Sequence, residues 1–194
     1  MVTAKKSRPP KHVYQLRIEL AEIVPRVWRT ILVPDTTKLA KLDRIIQEAF
    51  GWTNSHLHEF RIQTRRYGMT DVVDEFDDDD ELLDDRKFTL GSVLSDHTTS
   101  FIYAYDFGDG WEHLVVVENA FVANESNDWP VCIAGENACP PEDVGGVGGY
   151  EDFVEIITDP THEDYLSMYR WCGGPFDPSG FDVNSANARI RRLR

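Results

Sequence analysis

Between Tyr14 and Leu20 the apolar residues fall on alternate positions: Tyr14, Leu16, Ile18 and Leu20 share one parity, and polar residues hold the other. That period of two marks a strand with one buried face. A second β-like run, Pro25–Val33 (PRVWRTILV), follows after a short connection, so a β-hairpin or two neighbouring strands is expected to open the fold. From Thr37 the period lengthens. Leu39, Leu42, Ile45, Ile46, Ala49 and Phe50 form one helical stripe, and Gly51 is placed to terminate a helix of about three turns. In the next run, 52–63 (WTNSHLHEFRIQ), His56, His58, Phe60 and Ile62 share a parity. Read as a strand, it turns both histidines to the same face as two core-type residues.

Phe88–Leu94 predicts a short helical turn, and Phe101–Phe107 a strand. Gly108-Asp109-Gly110 then signals a turn, and Trp111–Val122 returns as the second arm of a β-hairpin. Ala123–Gly149 reads as a long Gly- and Pro-rich loop of the kind that more often carries function than idles. Tyr150–Ile157 and Thr161–Trp171 read as helices, the second opened by a capping box at Thr161–Asp164, and Asp182–Leu193 reads as a last helix. The class expected is α+β: an antiparallel sheet built from the N-terminal strands and the central hairpin, with one early helix and a C-terminal helical cluster. No repeat or Ser/Gly linker divides the chain. The expected organisation is a flexible basic tail over residues 1–12 and one domain over 13–194.

Charge refines this picture. The 194 residues hold 34 Asp+Glu against 20 Lys+Arg, a net charge of −14, and ten of the acidic residues lie within 71–85. The stretch at about 71–86 therefore reads as a solvated, exposed insertion. A calcium loop from Asp77, Asp79 and Glu81 lacks the glycine and distal glutamate that shape an EF-hand. Basic residues gather at both ends, Lys5, Lys6, Arg8 and Lys11, then Arg189, Arg191, Arg192 and Arg194. So acidic a molecule is nevertheless repelled by duplex DNA at long range, which makes DNA an unfavoured partner. Three cysteines make no disulfide framework, Met1–Lys11 has no apolar stretch that would serve as a signal peptide, and no run is long enough for a membrane span. A cytoplasmic protein with reduced thiols and no membrane contact is expected.

The strings PRVWRTILVP (25–34), GWTNSHLHEF (51–60), YDFGDGWEH (105–113) and CIAGENACPPEDVGGVGGYEDF (132–153) occur in an order that resembles the plasmid pRiA4b ORF-3-like family, and FDPSGFDVNSAN (176–187) is similar to that family's tail. The resemblance runs from about Tyr14 to Leu193. It implies a compact α+β domain of bacterial or archaeal origin, often carried on plasmids or as a passenger of transposable elements. Some members bear a resolvase-like label. This chain offers neither recombinase signature: Ser7 sits in a polar tail, and the C-terminal arginines have no tyrosine partner beyond Tyr165 and Tyr169. Many relatives have a cysteine after the CPPED string. This sequence has Val144, so a site built on that thiol cannot form.

Chemistry-bearing residues group in three places. His56 and His58, two apart on an expected strand, have a spacing at which two imidazoles bind one metal ion. Asp106, Asp109 and His113 flank the hairpin turn, with Trp111 beside them. Pro140-Pro141-Glu142-Asp143 stands ahead of a flexible glycine pair and can present two carboxylates to a ligand, although it is neither a Walker A loop nor a dinucleotide fingerprint. Cys132 and Cys139 are spaced wider than a usual structural zinc pair, although with Cys172 they offer three thiolates, and among the five tryptophans at least Trp28 and Trp111 read as core packing. Two functions follow. The first is a ligand- or partner-binding accessory domain without catalysis, using Asp106, Asp109, Trp111, Glu142 and Asp143. The alternative is a metal-assisted hydrolase acting on phosphodiesters, with His56, His58, His113 and Asp106 around a divalent ion and Glu142 or Asp143 as general base. Structural roles for the same polar groups compete with both.

Overall fold

The alternation at Leu16, Ile18 and Leu20 is realised as strand β1 (His12–Leu20), which pairs antiparallel with β2 (Trp28–Pro34). The computed structural model describes residues 10–72, 81–95, 97–123 and 128–193. In chain order there follow α1 (Leu39–Phe50), β3 (His58–Ile62), β4 (Arg65–Gly68), β5 (Leu82–Asp84), α2 (Leu90–Val93), β6 (Ser100–Tyr105), β7 (Trp111–Val122), β8 (Val131–Glu136), α3 (Gly146–Thr158), α4 (Tyr165–Trp171) and α5 (Val183–Ile190). The strands make one sheet in the order β5-β4-β3-β6-β7-β1-β2-β8. Every pairing is antiparallel except that of β4 with β5. The class is the expected α+β, and among the described residues no helix is long and apolar enough to cross a membrane.

The helical stripe of α1, together with Ala186 and Ile190 of α5, belongs to one buried cluster with the inward parity of the strands: Leu16, Ile18, Ile31, Val33, Phe60 and Val115. The opposite parity carries charge, with Glu59 bridging Arg66 at 2.7 Å and Arg61 paired to Glu112. Helix α1 ends where its stripe ends. Gly51 takes the left-handed conformation, and its N–H donates to Gln47 O at 2.7 Å. Two arginines satisfy further last-turn carbonyls: Arg29 Nε donates to Ala49 O (3.2 Å) and Arg189 Nε to Glu48 O (2.8 Å). The latter gives one C-terminal cation a helix-capping role favoured by the helix dipole.

Several expectations are corrected. The strand expected across 52–63 begins only at His58. The long loop contains β8, whose outer edge is covered by α5: Cys132 N–H donates to Asn187 Oδ1 and Asn187 Nδ2 donates to Cys132 O, both at 2.8 Å. Helix α3 starts at Gly146, four residues before Tyr150. Helix α4 starts at Tyr165 rather than Thr161, because Asp159 captures the Thr161 N–H (2.8 Å) and hydroxyl (2.7 Å) in a local turn that replaces the capping box. The acidic stretch is not wholly an exposed insertion. Its far end supplies β5, and Asp85 is fully buried. Arg86 joins its two ends, donating to Asp71 at 2.6 Å and Asp84 at 2.8 Å. Residues 1–9 of the basic tail, and Asp77 and Asp79 of the calcium-loop pattern, lie outside the described residues.

Candidate metal and ligand site

The two histidines of the HLH string part company. His58, the first residue of β3, points into the core with its side chain 4% exposed, and both ring nitrogens are taken. Nε2 donates to Asp85 Oδ2 at 2.8 Å, and Nδ1 lies 3.3 Å from Asp43 Oδ1. Asp43 in turn accepts from the Tyr103 hydroxyl (2.7 Å), which accepts from Gln47 Nε2 (2.9 Å). Burial raises the Asp43 pKa, and His58 and the Tyr103 hydrogen bond pull it back. Asp43 and Asp85 escape a search for surface chemistry. The available signal is that Asp43 and Gln47 share the helical stripe of Leu39, Ile46 and Phe50, where a polar residue needs an interior partner.

His113 is also a core residue, not a ligand. Its ring packs edge-on against Phe50 (5.1 Å) and Trp52 (5.3 Å), and Nδ1–H donates to Tyr103 O at 3.1 Å. Its Nε2 has no hydrogen-bond partner, and burial pushes its pKa down to about 3, so the ring is neutral. Trp111 lies beside Trp52, 1% exposed. The expected set of His56, His58, His113 and Asp106 therefore does not assemble, because two of its histidines are spent inside.

A different trio does assemble. His56 stays in the loop before β3, Asp106 opens the hairpin turn, and Asp143 ends the CPPED string. Their ligand atoms all lie within 4.8 Å of one another. His56 Nε2 is 3.0 Å from Asp143 Oδ1 and 3.5 Å from Asp106 Oδ2, yet it is shielded from solvent and makes no hydrogen bond. Separations of about 3.4 Å are what ligand atoms at about 2.1 Å from a tetrahedral ion would show. The turn itself orients Asp106, whose Oδ1 accepts from the backbone N–H of Gly108 (3.0 Å) and Asp109 (3.3 Å), which leaves Oδ2 toward His56. Asp106 and Asp143 both hold positive φ (52° and 58°), a conformation rare outside glycine and least unfavourable for Asp and Asn.

The other candidates knit the loops together. Glu142 Oε1 accepts from Thr53 N–H (2.7 Å), Thr53 Oγ1 (3.0 Å) and the Tyr105 hydroxyl (3.1 Å). Trp52 Nε1 donates to Pro140 O at 2.9 Å, and Gly145 N–H donates to Asp109 Oδ2 at 3.1 Å. Thr53 and Tyr105 are the anchors that sequence reasoning missed. Glu142 is thus a fastening, and burial with the nearby Glu142 charge raises the Tyr105 pKa. The Asp143 side chain is 70% exposed, so the trio opens to solvent. Three ligands with open positions suit an exchangeable cation such as Zn²⁺ or Mn²⁺. The three cysteines are free, and none joins a metal-type cluster among the described residues.

Comparison with known proteins gives consistent relatives. A family model described as plasmid pRiA4b ORF-3-like protein matches residues 12–185. Uncharacterized protein y4hQ of Sinorhizobium fredii is 40% identical over 176 residues, covering 90% of this chain and 86% of that protein. A crystal structure of a protein of unknown function, MM3350 from Methanosarcina mazei Go1, superposes with a TM-score of 0.81 at 33% identity, over 91% of this chain and 97% of that one.

Proposed function

The chain belongs to the plasmid pRiA4b ORF-3-like protein family, and on the geometry of its joined loops we propose that it is a cytoplasmic, mobile-element-associated binding domain that holds one divalent cation on His56, Asp106 and Asp143. The open coordination positions take an anionic group of a ligand, without turnover. One observation carries this reading: a solvent-shielded imidazole nitrogen lies between two carboxylate oxygens with no hydrogen bond to either. Binding is favoured over catalysis because, of the two expected bases, Glu142 is held by Thr53 and Tyr105 and Asp143 belongs to the cation trio. Three unpaired cysteines accord with a reducing compartment.

A second reading, metal-assisted hydrolysis of phosphodiesters, draws on the same three-ligand set. Open positions on such an ion accept water and lower its pKa.

Calorimetric titration of chelator-treated protein with Zn²⁺ and Mn²⁺ tests the proposal. One equivalent is expected to bind, and His56→Ala or Asp106→Asn is expected to weaken it by more than about 100-fold, since even outer partners of a metal are worth about 10–100-fold. No binding of either ion, or equal binding by both variants, would overturn the reading. Turnover of a bis-aryl phosphodiester that requires the ion and is lost in both variants would select hydrolysis.

A further inference from the structure

Helix α4 buries none of its residues: Leu166 is 62% exposed and Trp171 47%. Its neighbour α3 offers Phe153, whose ring meets Trp171 edge-on at 5.8 Å. Between the two helices runs a groove of about 410 Å³ with apolar walls from Phe153, Ile156, Met168 and Trp171 and with the carboxylates of Asp143 and Asp152 on its lining. No basic side chain lines it; Arg170, on the same helix, lies outside the lining. An apolar channel edged only by negative charge, on a chain of net charge −14, repels anionic ligands and acidic surfaces and attracts cations.

We propose that this groove receives a basic amphipathic segment of a partner protein, with apolar side chains laid against Ile156, Met168 and Trp171 and Lys or Arg groups meeting Asp152 and, when no cation is bound, Asp143. The charge complementarity selects this occupant, and the exposed face of α4 supplies the apolar contact that such segments use. The groove shares Asp143 with the cation site; Asp152, outside the His56 trio, and the chelator in the test below keep the two proposals distinguishable.

Fluorescence polarisation with a labelled Leu/Lys amphipathic peptide and its Leu/Glu counterpart tests it, in the presence of chelator so that the cation plays no part. The Leu/Lys peptide is expected to bind, more weakly as salt rises, and the Leu/Glu peptide to fail. Trp171→Ala and Asp152→Lys, both at exposed positions, are each expected to weaken binding about tenfold or more, with circular dichroism unchanged. Equal binding by wild type and Asp152→Lys would mean that net charge alone attracts the peptide, which overturns the proposal. So would failure of the Leu/Lys peptide to bind. Self-association of the wild type that Trp171→Ala abolishes, without peptide binding, would assign the groove to a second copy instead.

Discussion

Arg29 takes a positive charge into the core with no carboxylate paired to it among the described residues. Its guanidinium donates to the carbonyls of Trp28, Ala49, Glu136 and Asn137, and it lies 4.1 Å from the Phe181 ring centroid and 5.0 Å from that of Phe50. Burial lowers its pKa to about 10, so it stays charged at neutral pH. The same packing explains Gly135, where an added Cβ would fall 2.7 Å from the Phe181 ring and 2.8 Å from Arg29 Cδ. Position 29 was legible as a strand residue; its partners Glu136, Asn137 and Phe181, more than a hundred residues onward, were not. His113 shows a different residue-scale consequence. Its folded pKa of about 3 lies below the unfolded value near 6.5, so its contribution is complete above pH 6.5 and is lost as pH falls toward 3. Asp43, with a raised pKa, acts in the opposite sense: its contribution is present below its unfolded value and is lost as pH rises through the folded one. In urea titrations between pH 6.5 and 4, the wild type is expected to lose stability more steeply than His113→Phe, by about 1.4 kcal/mol per pH unit. Equal slopes would show that the imidazole does not titrate on unfolding.

At the scale of elements, the Asp43–His58–Asp85 contact binds three pieces that the chain order separates: helix α1, strand β3 and the residue following β5. The edge strand β5 has only three residues and is, among the described residues, the one parallel partner in the sheet, so this buried contact holds it where pairing alone is weak. Asp85→Ala strands a buried imidazole and is expected to cost about 2–4 kcal/mol in thermal or urea unfolding. Asp84→Ala, which removes contacts to the exposed Arg86 and Lys87, is expected to cost clearly less than Asp85→Ala. Similar losses from the two would place the stabilisation in the acidic composition and not in the contact. Composition made 71–86 read as one solvated block, because charge counts cannot tell the aspartate that meets a histidine from its neighbours. Periodicity placed β1, β2, α1 and the β6–β7 hairpin well. It missed β8, whose run VCIAGE is short and interrupted by glycine.

Across the whole molecule, most of the sheet was legible because β1, β2, β3, β6 and β7 announce themselves locally, whereas the short β4, β5 and β8 did not and the site was legible only in parts. The HLH, DFGDGW and CPPED strings were each visible as polar loops, and the structure joins them through His56, Asp106, Asp143 and Glu142. Spacing suggested the pair His56 and His58; the backbone turn at Asn54 (φ 57°) and the late start of β3 divide them between loop and core. The sheet ends at β8, and there Asn187 occupies the place a ninth strand would take, filling both hydrogen-bonding groups of Cys132 with one side-chain amide. Left uncovered, a border of this kind templates strand addition from another molecule. Asn187→Ala is therefore expected to promote concentration-dependent oligomers in sedimentation velocity while costing only about 1–2 kcal/mol of stability; a variant that stays monomeric at high concentration would show that α5 guards the border by its bulk. On that expectation a single carboxamide governs how the folded chain behaves in a crowd of its own copies, a colloidal property set by a residue outside the candidate cation trio.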